Sequence, residues 1–163
     1  MIYFKLIGAV LILLCGTLSG FYLSYRLRLR LKVYEDLIDF LSRLHTNIRY
    51  FSDDIFKLIK ISAPSSLAEF FNRNISLFGI YWESVIKDIS KSCGLTADDY
   101  NNLIEFGRIL GTTDVQGQLS HINIYKGIFT TTRDEYQKDF KTKSKLYRVL
   151  GFFLGATVAL LII

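Results

Sequence analysis

The chain has 163 residues, of which half are apolar and 21% are charged, with a net charge of +5 and a single proline. This length allows one domain of ordinary size, and the apolar share exceeds that of a typical soluble domain, which suggests membrane segments. The positive charge comes from two short basic clusters, whereas residues 33–140 hold eleven Lys or Arg against fifteen Asp or Glu. A polyanion-binding domain needs positive charge across its folded surface, so this distribution argues against nucleic acid as a partner.

From the N-terminus, the first predicted element is an apolar helix over residues 6–25, LIGAVLILLCGTLSGFYLSY, which carries no charge. A helix of this length spans about 30 Å, the thickness of the hydrocarbon layer of a bilayer. A cleaved signal peptide is the alternative, but its cations precede a shorter apolar core, whereas here they follow the run. We therefore predict a retained N-terminal transmembrane anchor over residues 1–25.

The body that follows is predicted to be all-α, a small antiparallel bundle of about six helices. Its first helix repeats apolar residues every three or four positions from Tyr34 to Ile48. Its last helix has a stripe with the same spacing from Ile122 to Phe140, which continues with Tyr147 seven residues later. Four shorter helices are expected between these two long ones, one of them over residues 65–78, SSLAEFFNRNISLF. Each long helix is expected to continue into one apolar segment.

Capping residues and glycines set the predicted ends of the short helices. Residues 52–54 suit a helix start, and Thr96 with Asp99 comes close to a capping box. Thr113 with Gln116 is predicted as the capping box of the last helix. The predicted helix ends are Gly79, Gly94 and Gly111.

The last element is a second apolar segment, residues 149–163, VLGFFLGATVALLII. A helix of this length spans only about 22 Å, so it must recruit Leu146 and Tyr147 or thin the bilayer locally. A buried core helix is the alternative, but such a helix would show polar positions on one face, and this one shows only Thr157. We predict a C-terminal transmembrane segment, with residues 26–148 as the cytosolic body.

Both apolar segments are flanked by a basic cluster on the side that faces the body. Because cations beside an apolar segment tend to stay in the cytosol, the two clusters predict a cytosolic body and both termini on the far side of the membrane. On a helix the alternating cations of YRLRLRLKVY would ring the axis, an arrangement suited to the headgroup layer of an anionic membrane. The predicted collar residues are Arg26, Arg28, Arg30 and Lys32 after the first segment, and Lys141, Lys143, Lys145 and Arg148 before the second.

Each apolar segment also carries two glycines four residues apart, Gly16 with Gly20 and Gly151 with Gly155. This spacing lets two helix backbones approach closely, so we predict that these glycines serve transmembrane packing. The sequence leaves open whether the two pairs meet each other or another subunit.

The chain shows no arrangement of residues that points to catalysis or to a bound cofactor. Carboxylate pairs such as Asp98 and Asp99 lie in the first turn of a predicted helix, where they meet the positive end of the helix dipole. The two cysteines and two histidines lack the spacing of a disulfide framework or a metal site. No P-loop, dinucleotide fingerprint or nucleophile elbow occurs in the sequence. Trp82 and Phe106 are expected in the core, and we predict a non-enzymatic adaptor or platform without cofactor, metal or small-molecule substrate.

Three stretches of the chain closely resemble the stage III sporulation protein AB family. They are KLIGAVLILLCGTLSGFYL from Lys5, LTADDYNNLIEFGRILGTTDVQGQ from Leu95 and KLYRVLGFFLGA from Lys145. The most specific part is FGRILGTTDVQGQ, residues 106–118. One departure follows Tyr50, where the family tends to have a Thr-Pro-Leu turn and this chain has Phe-Ser-Asp-Asp.

The resemblance implies more than the residues alone could show. The family is similar to the inner-membrane platform proteins of type II secretion and type IV pilus systems, whose cytosolic domains are six-helix bundles. In endospore formers it belongs to a channel-like complex between mother cell and forespore. The protein would then lie in the mother-cell membrane around the forespore, with its bundle in the mother-cell cytosol. The implied partners are the secretion-type ATPase of the same operon and other membrane proteins of the channel, beside membrane lipids, with self-association left open.

We hypothesise that the ATPase meets the membrane-distal end of the bundle, near the short helices of residues 52–92, since the two long helices tie the other end to the bilayer. The polar turn from Gly111 to Gln118 is a second candidate, with a well-capped helix junction as its alternative. The lysines expected to contact the ATPase are Lys57, Lys60, Lys87 and Lys91.

Two other functions stay open on the sequence alone. A membrane-anchored regulatory adaptor unrelated to secretion would use the same architecture to bind a different cytosolic partner. A membrane enzyme would need polar residues inside the bilayer, and the apolar segments offer little beyond Thr17 and Ser19.

Overall fold

The computed structural model describes residues 2–51, 54–63 and 78–162, and these residues form five α-helices and no strand. The all-α prediction is therefore confirmed for the described residues, which hold five of the about six expected helices. The expected helix over residues 65–78 lies outside the described residues except at its last position. The helices are α1 Ile2–Tyr50, α2 Ile55–Ser62, α3 Phe78–Cys93, α4 Ala97–Ile109 and α5 Val115–Ile162.

The chain divides into two compact units. Unit 1 contains residues 1–31 and 135–163, and unit 2 contains residues 32–134. Helix α1 has 49 residues and α5 has 48, and each runs without a break through both units. The prediction that each long helix of the bundle continues into one apolar segment is confirmed.

The core of unit 2 is built around an aromatic cluster. Trp82, Phe106 and Phe129 are fully buried, and the Phe106 ring lies 5.8 Å from that of Trp82 and 5.7 Å from that of Phe129. Tyr34 of α1 packs edge-on against Phe129 at 5.6 Å, and Ile59 of α2 is also fully buried. Large aromatic side chains contribute most of the apolar area that stabilises a small core, and the prediction that Trp82 and Phe106 belong to it is confirmed.

Helices α3 and α4 form an antiparallel hairpin in which α3 packs against Gly107 of α4. The indole ring of Trp82 occupies the space where a side chain at Gly107 would lie, and its Nε1–H donates to the Leu103 carbonyl oxygen over 2.7 Å. Gly94 lies in the connection between the two helices with a φ of 67°, the left-handed conformation that favours glycine after a helix. Gly79, predicted to separate two helices, is instead the second residue of α3, in its first turn.

The start of α4 ties this hairpin to α1. Thr96 and Asp99 form the predicted capping box, in which the Asp99 amide donates to Thr96 Oγ1 over 3.2 Å and the Thr96 amide donates to Asp99 Oδ2 over 2.9 Å. The other carboxylate oxygen of Asp99 accepts a hydrogen bond of 2.7 Å from the Tyr34 hydroxyl. The carboxylate therefore caps α4 and fixes it against α1 at the same time.

The start of α5 differs from its prediction. The N-cap is Asp114, whose Oδ1 accepts from the Gly117 amide over 3.0 Å, and the helix begins at Val115. Thr113 instead accepts a hydrogen bond of 2.8 Å from the side-chain amide of Gln118. The capping box predicted for Thr113 and Gln116 is wrong, because the aspartate that follows Thr113 is at least as good an N-cap as threonine.

Candidate functional site

Unit 1 is an antiparallel pair formed by the apolar ends of α1 and α5. A methyl carbon built on Gly16 would lie 2.7 Å from the Gly151 carbonyl oxygen, and one built on Gly20 would lie 3.3 Å from the Gly151 Cα. One built on Gly155 would lie 3.4 Å from the Gly16 Cα. The structure thus brings all four predicted packing glycines into one contact between the two helices, where the backbones touch directly.

The outer surfaces of this helix pair are apolar and exposed. Both helices are long and apolar enough to cross a membrane, judged by length and composition, and little of either apolar stretch is buried inside the protein. Exposed side chains include Leu11, Leu14, Leu18, Phe21, Phe153, Leu154 and Leu160. Two adjacent exposed apolar helices are far more apolar than the surface of a soluble domain, and they suggest membrane anchoring.

The basic collar of α1 has two sides. Arg30 is half-buried, with its guanidinium carbon 5.9 Å from the centre of the Tyr136 ring of α5. Arg26 is also half-buried, and its Nε has no hydrogen-bond partner among the described residues. Arg28 and Lys32 are exposed. One half of this collar therefore packs within the protein, and the other half faces outward.

The basic collar of α5 is divided in a similar way. Lys143 forms an ion pair with Asp139 at 2.8 Å, and this hydrogen bond raises the pKa of the lysine. Arg148 donates from Nε to the Ser144 carbonyl oxygen and from Nη2 to the Ser144 hydroxyl, each over 3.2 Å. Lys141 and Lys145 are exposed.

The lysines predicted to contact a partner fall at two ends of unit 2. Lys57 and Lys60 are exposed on α2. This helix lies at the end of unit 2 where α1 finishes, called here the Tyr50 end: its Ser62 hydroxyl accepts from the Asn47 side chain over 2.8 Å. At its other end, Phe56 lies beside Gly111.

Lys87 and Lys91 are exposed on α3, which runs in the opposite direction to α4. The C-terminal part of α3 leads to Cys93, which lines a cavity of about 140 Å³ together with Val33 and Leu37 of α1. Lys91 therefore lies towards the opposite end of unit 2, called here the Val33 end. The predicted partner contact at the membrane-distal end stays a prediction, but the hairpin with α4 carries α3 along the length of unit 2, so Lys91 does not lie beside the lysines of α2.

The polar turn from Gly111 to Gln118 is stabilised by hydrogen bonds between its own residues. Gln118 is 3% exposed, and its Oε1 accepts from the Gly111 amide over 3.1 Å. Gly111 has a φ of 85°, a left-handed conformation that other residues rarely adopt. The outer side chains of the turn, residues 112–116, are exposed. The glycine and the glutamine that make this stretch so specific are thus needed for the fold.

Two side chains with polar groups, His121 and Tyr125, are buried in α5. Tyr125 belongs to the apolar repeat predicted to face the core, whereas His121 was not predicted as a feature of the core. His121 is stacked on Phe106, and its Nε2 lies 3.1 Å from the Phe106 carbonyl oxygen. Burial raises the pKa of the Tyr125 hydroxyl, and the nearby Glu105 carboxylate, with its charge and its hydrogen bond, raises it further. The apolar spacing around His121 could have shown that it faces the core, but the hydrogen-bond partners of both side chains come from α4.

Within the described part of the chain, no group of three or more His, Cys, Asp or Glu side chains could hold a metal ion. Cys15 is exposed and Cys93 is buried, and neither forms a disulfide. The geometry found in these residues is that of helix packing, capping and charged surfaces.

Comparison with known protein families identifies the chain. Its sequence matches the family described as Stage III sporulation protein AB over residues 5–163, which includes nearly all of α1 and the whole described length of α5. The curated proteins and the solved structures show no significant match. The chain therefore belongs to the stage III sporulation protein AB family, and its role lies in sporulation.

Proposed function

We propose that the protein is a non-enzymatic membrane platform of a secretion-like complex, which holds a cytosolic secretion-type ATPase at the mother-cell membrane around the forespore. The observation that carries this proposal is that two helices with exposed apolar ends continue without a break into a packed helical bundle. Such helices attach a bound partner to the bilayer. Other membrane proteins of the complex would bind beside the spans.

The proposed orientation rests on the position of the cations. Arg26, Arg28 and Arg30 follow the first apolar stretch, and Lys145 and Arg148 precede the second. Positive charges beside an apolar segment are retained in the cytosol. In this arrangement unit 2 lies in the mother-cell cytosol, where a soluble ATPase can bind it, and both termini lie on the other side of the membrane.

We place the ATPase contact at the Tyr50 end of unit 2. The exposed face of α2 carries Lys57 and Lys60, and Ile61 beside them is 63% exposed. Tyr50 and Phe51 at the end of α1 are also largely exposed. Exposed aromatic and aliphatic side chains beside these lysines suit a partner surface that combines an apolar groove with acidic residues.

Charge reversal tests this placement in the full-length protein. We expect Lys57→Glu with Lys60→Glu to weaken capture of the ATPase from detergent-solubilised membranes at least about tenfold, because like charges facing each other across an interface are strongly unfavourable. Lys87→Glu with Lys91→Glu is the matched control, with the same charge change nearer the Val33 end, and it should capture the ATPase as the unmodified protein does. Unchanged capture by the α2 variant would refute the placement. Absence of capture by the unmodified protein would favour a regulatory adaptor unrelated to secretion.

A further inference from the structure

Four exposed cations lie along one face of α5. At 100° per residue they fall within about 80° of one another around the helix axis. Lys143, the remaining cation of this stretch, points to the other side of the helix, where it is paired with Asp139 at 2.8 Å. The exposed residues, called here the basic stripe, are Lys138, Lys141, Lys145 and Arg148.

The backbone of Arg148 lies beside the apolar run of α1. A methyl carbon built on Gly20 would be 3.2 Å from the Arg148 Cα. Gly20 lies about five residues before Tyr25, which ends the uncharged run, so the Arg148 backbone lies roughly 7 Å inside that run. A charged side chain can occupy such a level only if its head reaches towards the polar side.

The Arg148 side chain reaches towards the polar side. It extends back along α5 by one helical turn, and its two hydrogen bonds to Ser144 hold the guanidinium at the level of that residue. One turn from Gly20 in the matching direction along α1 lies Ser24, and both serines are buried. From this level to the end of α5 there are about 18 residues, or roughly 27 Å of helix, close to the thickness of a bilayer core. The methylene stem of Arg148 thereby extends the short second apolar segment by about one turn.

We propose that the basic stripe binds the phosphate groups of anionic phospholipids at the cytosolic boundary of the bilayer. Ser144 uses two of the five N–H donors of Arg148, and the residue is exposed. Lys145 and Lys141 continue the same face at spacings of three and four residues, so several cations can approach one headgroup or its neighbours. Four residues beyond Arg148 the same face carries Phe152, which is 47% exposed.

This change from cations to an exposed aromatic ring fits an amphipathic ligand, whose phosphate meets the stripe while its acyl chain lies along the apolar segment. A free phosphate would contact only the cations of this surface and would leave the Phe152 ring uncovered. The proposal rests on membrane anchoring by α1 and α5, which is part of the proposed function, and it does not depend on capture of an ATPase.

Lipid binding to the full-length protein in a neutral detergent provides the test. The protein is titrated with phosphatidylglycerol or with phosphatidylcholine of the same acyl chains, and bound lipids are counted by native mass spectrometry. We expect tighter binding of phosphatidylglycerol, and a loss of about fivefold for Arg148→Gln, the contribution of one cation near an anionic surface. The variant K141Q/K145Q/R148Q should lose about a hundredfold, with phosphatidylcholine binding unchanged.

The control removes a cation from the same helix without touching the stripe. Lys143→Gln combined with Asp139→Asn keeps the net charge and should leave phosphatidylglycerol binding within about twofold of the unmodified protein. Equal affinity for the two lipids, or an equal loss in this control, would overturn the proposal. Full displacement of phosphatidylglycerol by millimolar glycerol phosphate would overturn the lipid assignment in favour of a soluble phosphate. Fluorescence of Trp82 checks that unit 2 is folded in each variant. Intact ATPase capture by a variant that has lost lipid selectivity would leave the platform proposal standing.

Discussion

Gly107 offers a direct test of the packing that holds unit 2 together. We expect Gly107→Ala to destabilise the unit, because the added methyl group would overlap the indole ring of Trp82. Trp82 is 1% exposed, and its N–H is bound to the Leu103 carbonyl oxygen. The ring therefore cannot move aside without breaking this hydrogen bond or displacing its neighbours.

The expected loss follows from two opposing effects. Overpacking a close-packed core costs about 1–3 kcal/mol, and overlap with a rigid ring favours the upper end of this range. Alanine in a helix interior is about 1 kcal/mol more favourable than glycine. The net loss in the free energy of unfolding is about 2 kcal/mol, which lowers the urea midpoint by roughly 1–2 M at the usual slopes.

Fluorescence provides the assay, since Trp82 is the only tryptophan of the chain and reports unfolding of unit 2 in the full-length protein in detergent micelles. Gly127→Ala is the matched control. Gly127 also lies inside a helix, but a methyl group there would have nothing within 4 Å. The control should gain about 0.5–1 kcal/mol. Equal midpoints for the two variants would refute the account of this contact.

Three further predictions concern hydrogen bonding, pH and orientation. Tyr34→Phe removes a donor from the Asp99 carboxylate and should cost about 1.5–3 kcal/mol in the same urea titration, and an unchanged midpoint would show that the bond contributes little. Because the pKa of Tyr125 is raised in the folded chain, its contribution is fully present below its unfolded pKa of about 10 and is lost as the pH rises above it. Below about pH 9, the urea midpoint should therefore depend on pH in the same way for Tyr125→Phe and for the unmodified protein. Above pH 10, the midpoint of Tyr125→Phe should fall less steeply than that of the unmodified protein, and identical curves would contradict this. A cysteine replacing Phe4, in a chain without other reactive cysteines and produced in the plasma membrane of vegetative cells, should react with an impermeant maleimide added to intact cells, whereas one replacing Lys87 should react only after permeabilisation; the reverse pattern would contradict the proposed orientation.

The parts of the fold that sequence could predict depend on local rules. An uncharged stretch long enough to span a bilayer, an apolar repeat of three to four residues, and the capping pair Thr96 and Asp99 each carry their signal within a few neighbouring positions. Local rules also explain the error at Thr113, since two adjacent residues were both suitable N-caps and only the structure shows that Asp114 is used.

The candidate sites were harder to predict because they depend on contacts between distant segments. Alternating cations in α5 look equivalent in the sequence, but the pairing of Lys143 with Asp139 and the bonds from Arg148 to Ser144 distinguish them. Likewise, Lys60 and Lys91 are both exposed lysines on short helices. Their separation depends on the direction of α3 against α4, which tertiary packing decides.

The central claim is that this protein holds a secretion-type ATPase at the mother-cell membrane, and cell fractionation tests it most directly. Sporulating cells are separated into membrane and soluble fractions, and the ATPase is quantified in each. We predict that the ATPase sediments with the membranes when the unmodified protein is present, and that it becomes soluble when the protein is deleted or carries Lys57→Glu with Lys60→Glu. An ATPase that sediments with the membranes to the same extent in cells lacking the protein would contradict the account.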